Sequence, residues 1–225
     1  MPHAVVTGAS SGIGEAIVTR LLEQGWQVTG LSRSKVVRDT PAFESRCVDL
    51  SNSAAFSETL ATLQVPDAVV HAAGMMAAAP LGEITPQISQ QLWQLHVLAA
   101  ETLVNHFAPQ MKSGGRIVII GSRTSRGAAG RSQYVATKAA LVGMVRSWAA
   151  ELAPRGITAN VIAPGATQTP MLNAPGRASS PPNVPPIGRL IEPREVAALV
   201  GFVLSADAAA ITGQELVMCG GASLK

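Results

Sequence analysis

This chain has little from which to build a disulfide, a metal centre or a membrane span. It holds two cysteines, Cys47 and Cys219, far apart and without metal-ligand spacing. Neither a disulfide framework nor a zinc site follows, and both thiols are expected to be buried small hydrophobes. Aromatic residues make up 4% of the chain, and Tyr134 is its single tyrosine. Charge is scarce too, at 14% of residues with a net +3. No Lys/Arg block and no basic–aromatic interleaving appears, which argues against a nucleic-acid partner. No apolar run approaches the ~18 residues of a membrane span. The opening Met1-Pro2-His3-Ala4-Val5 lacks the basic and apolar regions of a secretion signal. A soluble, cytoplasmic protein is the expectation.

What is present is small and aliphatic. Hydrophobic residues reach 47% and there are 21 glycines. The 225 residues suit one domain with a substantial core. Short β-like runs are predicted at Ala4–Thr7, Gln27–Leu31, Ser45–Val48, Ala68–His71, Arg116–Ile120, Thr158–Ile162 and Glu215–Met218. Helical stretches are predicted at Ile13–Gln24, Ala54–Leu63, Pro86–Met111, Ser132–Ala153 and Pro193–Leu204. Most of the strands are continuous apolar runs, as in a parallel sheet covered on both faces. The alternation predicts an α/β, doubly wound domain of about seven parallel strands with helices on both faces. One compositional shift, Ala174–Pro186, is rich in Pro, Ser, Asn and Gly. A long loop following a strand reads as a functional lid within the domain rather than a linker.

Thr7-Gly8-Ala9-Ser10-Ser11-Gly12-Ile13-Gly14 joins the first strand to the first helix. Gly8 permits a tight turn, and Gly12 and Gly14 permit close approach of backbone to ligand and of helix to sheet. The helix N-terminus then offers N–H groups and a positive dipole end to a pyrophosphate. The spacing is G-x-x-x-G-x-G rather than G-x-G-x-x-G.

Tyr134 and Lys138 lie four residues apart, on one face of a predicted helix. A neighbouring ammonium favours phenolate, which brings the hydroxyl toward the range where it trades protons at neutral pH. Such a pair is common on helices without chemistry, so its weight rests on its company. Ser122 follows the fifth strand, and Pro164-Gly165 follows the sixth.

Taken together, Thr7–Gly14, Ser122, Tyr134, Lys138 and Pro164-Gly165 resemble the short-chain dehydrogenase/reductase family along essentially the whole chain. Gly188-Arg189-Leu190, Ile211-Thr212-Gly213-Gln214 and Gly220-Gly221 resemble its C-terminal part. In general layout the 3-oxoacyl-[acyl-carrier-protein] reductases are most similar. The resemblance implies a Rossmann-type fold and hydride transfer between a ketone and a secondary alcohol. It implies that Ser122 holds the substrate oxygen and Tyr134 exchanges its proton. Lys138 would tune Tyr134 and bind the nicotinamide ribose. Thr124 and Ser125 offer nearby hydroxyls for the positioning role.

Cofactor contacts implied by the same resemblance run through Gly8, Ser10, Ser11, Gly12, Ile13 and Gly14, then Asp49 and Leu50 at the adenine. They continue through Ala72, Ala73 and Gly74, then Pro164, Gly165, Thr167 and Thr169. At the end of the second strand stand Ser32 and Arg33, where an acidic residue would repel a 2′-phosphate. Arg suits a phosphate, so NADP is expected over NAD. Ser51 or Ser53 could cap the helix beyond Asp49.

Two departures stand out. Ala72 replaces an Asn of the family pattern, and His96 replaces another in the fourth helix. The family residue's backbone carbonyl holds a water that links the Lys to solvent. His96 would keep that relay and add a titratable group, or serve as a packing replacement. The substrate loop, residues 171–191, holds no diagnostic residue. Candidate substrates include 3-oxoacyl thioesters, sugars, steroids, and cyclic or aromatic alcohols, and a non-catalytic nucleotide-binding regulator is the contrasting reading. A homo-oligomer, dimer or tetramer, is the expected assembly.

Overall fold

The computed structural model describes residues 1–173 and 182–224. Residues 174–181, most of the Pro-rich loop read as a lid, therefore lie outside the described residues. Seven parallel strands form one sheet: β1 His3–Thr7, β2 Gln27–Ser32, β3 Phe43–Cys47, β4 Ala68–His71, β5 Arg116–Ile120, β6 Thr158–Pro164 and β7 Glu215–Met218. Their order is β3-β2-β1-β4-β5-β6-β7. The chain winds outward from β1 through β2 to β3, then returns to lay β4 on the other side of β1. That reversal opens a crevice beyond the C-terminal ends of β1 and β4.

Among the described residues, six α-helices cover the faces: α1 Gly12–Glu23, α2 Ser53–Ala61, α3 Pro86–Trp93, α4 Ala99–Phe107, α5 Ser132–Leu152 and α6 Pro193–Val203. The period-2 alternation of the strands sorts their residues between two cores. Val5, Val69, Ile117 and Val161 meet α2, α4 and α5 through Phe56, Leu103 and Leu141. Val6, Val70, Val118 and Ile162 meet α1 and α6 through Ile17, Leu21, Val196 and Val200. The register Val5↔Val69↔Ile117 and Val6↔Val70↔Val118 keeps each set on its own face. A one-residue slip would exchange the two sets.

Three expectations need correction. Pro86–Met111 is not one continuous α-helix. A π-helical turn over Gln94–Leu98 separates α3 from α4, and the helix ends at Phe107. The apolar period runs through that turn, so sequence pattern does not mark it. Cys47 is exposed rather than buried, because β3 is the sheet edge, and Cys219 is partly covered. The cap of α2 is Asn52, whose Oδ1 accepts from the Ala55 amide at 3.1 Å, and not Ser51 or Ser53. No helix among the described residues is long and apolar enough to cross a membrane.

Candidate active site

A cleft of ≈ 900 Å³ runs across the C-terminal ends of the central strands. Every proposed cofactor and catalytic residue from Gly8 to Thr169 lines it. The glycine turn builds one wall. A Cβ on Gly14 would lie 2.1 Å from the Gly8 carbonyl oxygen, and one on Gly8 would lie 2.8 Å from the Ala73 amide. Gly12, at φ 59°, faces Thr169 across the cleft. Ser11 leads α1 without capping it by a side-chain hydrogen bond. The amides of that first turn therefore face the cleft undiverted by a cap. This cradle, with no side chain at Gly8, Gly12 and Gly14, fits a dinucleotide pyrophosphate.

On the far side of β1, Ser32 ends β2 and Arg33 follows it. The Ser32 hydroxyl donates to the Ser34 carbonyl at 2.7 Å, and Arg33 lines the cleft beside it. Asp49 Oδ1 accepts from the Ser51 amide at 2.9 Å, which fixes the turn that also carries Leu50.

The Thr7 hydroxyl ties β1 to β4. It accepts from the amides of Ala72 and Ala73 at 3.1 and 3.2 Å. Its own proton then goes to His71 Nδ1, 2.9 Å away. This bond network links the strand ends beside Ala72, where the Asn of the family pattern is missing. His71 is buried and held neutral by desolvation and by Lys138, with its pKa lowered to about 3.

Ser122 caps the 3₁₀ turn Arg123–Arg126 at the end of β5. Its Oγ accepts from the Thr124 amide at 3.3 Å and sits 2.9 Å from the Thr124 hydroxyl. Ser125 points elsewhere, to Glu215 at 2.5 Å. Tyr134 and Lys138 rise one turn apart on α5, both buried. The Lys138 ammonium lies 5.8 Å from the Tyr134 ring centre and donates to the Ile120 carbonyl at 2.9 Å. Burial lowers the Lys138 pKa to about 8.

His96 sits in the π-helical turn and is fully buried. The Met75 amide donates to its Nε2 at 3.0 Å. Nε2 is thus the acceptor, and Nδ1–H donates to the Thr137 hydroxyl at 2.8 Å. Thr137 passes its proton to the Tyr134 carbonyl at 2.9 Å. Both ring nitrogens are committed, and burial with the Lys138 charge holds the His96 pKa well below 6.5. A titrating His96 does not fit this geometry, because a protonated ring would confront the Met75 amide. The side chain braces the Gly74–Met75 strand exit against the Tyr134 helix instead. Gly74 leaves room for it, since a Cβ there would lie 3.1 Å from Nε2.

Thr167 and Thr169 are held by the segment after β6. Thr167 bridges to Ile191, and the Gln168 amide donates to the Ile191 carbonyl at 2.8 Å. Met75 and Met76 line the cleft with Met171. Sequence reasoning missed Thr137, Arg123 and Gln91 as neighbours of the site. Adjacency to Lys138 and Ser122 was the available signal for the first two.

A family model described as Enoyl-(Acyl carrier protein) reductase matches residues 8–223. The 3-oxoacyl-[acyl-carrier-protein] reductase of Vibrio harveyi is 34% identical, covering 97% of this chain and 96% of that protein. L-fucose dehydrogenase of Mus musculus is 35% identical, covering 98% and 88%. Among solved structures, a blue fluorescent protein from a metagenomic library, in complex with NADPH, superposes with a TM-score of 0.86 at 30% identity, covering 99% of this chain and 98% of that one.

Proposed function

Because the chain belongs to the short-chain dehydrogenase/reductase family, we propose that Ser122, Tyr134 and Lys138 interconvert a ketone and a secondary alcohol with NADP(H). Nicotinamide-dependent hydride transfer between C=O and CH–OH groups is the chemistry of this enzyme class. When bound, the cofactor supplies or accepts the hydride. The observation that carries the residue reading is that three buried polar groups, Ser122, Tyr134 and Lys138, line the same cleft as the glycine cradle.

Ser122 Oγ can accept from both the amide and the hydroxyl of Thr124. Its own proton is then left to hold the substrate oxygen. Tyr134 gives its phenolic proton to that oxygen as the alcohol forms, and takes one in the reverse direction. Lys138, cationic below about pH 8, favours the phenolate between turnovers. His96 and Thr137 position Tyr134 through its backbone carbonyl and do not exchange protons with substrate. Tyr134→Phe is expected to lower kcat by at least ~10²-fold while NADPH still binds, the span of one acid–base catalyst. Near-normal turnover would overturn the assignment.

Arg33 supports NADP over NAD. It is exposed at the mouth of the cleft, and no carboxylate among the described residues pairs with it. Turnover with NADPH against NADH tests this, and Arg33→Ala should narrow the gap. A strong NADH preference would defeat it. The domain is read as a single unit over 1–225, with residues 171–191 as its substrate loop. A 3-oxoacyl thioester remains one candidate substrate, supported by the Vibrio harveyi relative. Sugars are supported equally by the L-fucose dehydrogenase.

A further inference from the structure

The two halves of the cleft differ in charge. From Thr102 to Ile191 the only acidic residue in the sequence is Glu151. It lies near the C-terminal end of α5, remote from Tyr134 at that helix's start. Among the described residues lining the cleft the only carboxylate is Asp49, beyond β3 on the adenine side. The substrate side carries Arg123 and Arg131 beside Ser122 and Tyr134.

Arg123 differs from the other arginines of its neighbourhood. Arg126 pairs with Glu215, and Arg155 is spent on the carbonyls of Ala108, Pro109 and Met111. Arg116 donates to Gly114 and Gly115. Arg123 is half-buried in the cleft wall, and among the described residues it has neither an ion-pair partner nor a side-chain hydrogen bond. A guanidinium whose five donors meet no described residue is available to an anion in the cleft. The cofactor's phosphates are read at the opposite side, by the α1 N-terminus and Arg33. The walls between are apolar, from Met75, Met76, Met171 and Val184.

We propose that the substrate is an oxo acid, whose free carboxylate is gripped by Arg123 while Ser122 holds its ketone oxygen. This rests on the reading of the cleft as a carbonyl-reducing site. The two residues are adjacent in the chain, so their Cα atoms are about 3.8 Å apart. The matching substrates are 2-, 3- and 4-oxo acids with an apolar remainder, and the ketone position the enzyme selects reports the reach from Ser122 to Arg123. A phosphopantetheine thioester places its nearest phosphate much farther from its ketone and leaves Arg123 unmatched. In the reaction the carbonyl carbon takes a hydride and its oxygen a proton, and the carboxylate passes through unchanged.

The test uses oxohexanoates with the ketone at carbon 2, 3 or 4, each beside its methyl ester, with NADPH as reductant. The quantity read is the ratio of kcat/KM for acid over ester. One matched acid should exceed its ester by about tenfold or more, the scale of a charge-assisted hydrogen bond. The advantage should shrink at 0.5 M salt, which screens the acid's attraction alone. Arg123→Gln should bring the ratio close to one, chiefly through KM of the acid, and Arg123→Lys should restore part of it. In parallel, the matching hydroxyhexanoate should raise the melting temperature of the NADP⁺-bound protein more than its methyl ester does, and this difference should vanish in Arg123→Gln.

An acid/ester ratio near one in the wild type overturns the proposal and leaves the carbonyl-reductase reading standing. So does a ratio that Arg123→Gln leaves unchanged, or preference for a 3-oxoacyl thioester over every acid. Failure to reduce any ketone in the series, ester or thioester included, defeats the carbonyl-reductase reading and this inference with it.

Discussion

Two buried histidines give the site an acid limit. His71 and His96 are both neutral in the folded chain, with pKa values lowered by burial, to about 3 for His71. In the unfolded chain both protonate near 6.5. As pH falls below that value the unfolded state binds more protons, so stability falls, and for His71 it keeps falling until the folded pKa is passed. Each histidine contributes a slope of about 1.4 kcal/mol per pH unit in that window. His96→Asn should remove one such slope, measurable as urea midpoints at pH 7, 6 and 5. An unchanged pH dependence would show that His96 is already charged in the fold. Lys138 has the opposite position on the scale. Its folded pKa of about 8 lies below the ordinary 10.5, so the folded protein loses this charge first as pH rises. The alkaline limb of kcat/KM should therefore set in near pH 8, earlier than an exposed lysine would allow, and a limb first appearing near 10 would refute it.

At the scale of elements, the π-helical turn over Gln94–Leu98 is what aims His96 inward. Such turns insert one extra residue and recur at functional sites. The chain Met75 amide–His96–Thr137–Tyr134 carbonyl then fastens α5 to the strand exit of β4. Thr137→Val keeps the shape and deletes the hydroxyl, leaving Nδ1–H of His96 buried without an acceptor. That should cost about 1–3 kcal/mol, read by urea unfolding, with kcat falling more than KM rises if Tyr134 shifts. A neutral substitution would mean the relay does not brace the helix. The strands were legible because Val5, Val69 and Ile117 sit in short apolar runs bounded by turns. The glycine turn was legible because its spacing reports a local backbone need. The π-turn was not, since the apolar pattern crosses it unbroken. Nor was Thr137, whose partner His96 lies 41 residues away. Cys47 was misjudged because composition does not say which strand is the edge.

At the scale of the whole molecule, the return of β4 to the side of β1 sets more than the crevice. Thr7 and His71 are 64 residues apart in the chain yet hydrogen-bonded. The strands β3, β2 and β1 can assemble from contiguous chain, whereas β1–β4 pairing must wait for a long closure, the kind of contact that slows folding. The cofactor cradle spans that junction, with Gly8 and Arg33 on one side and Gly74, Lys138 and Thr167 on the other. A ligand lying across the junction would act as a clasp between a half built from contiguous chain and a half joined to it by that long closure. At a hundredfold excess over its Kd, NADPH should add about 2.7 kcal/mol to stability. In hydrogen exchange, the amides of Ala72 and Ala73 should slow more on NADPH binding than those of the outer strand β3. Uniform slowing across the sheet would mean that the halves open together. The dinucleotide would then be part of how this chain stays closed as well as what it reacts with.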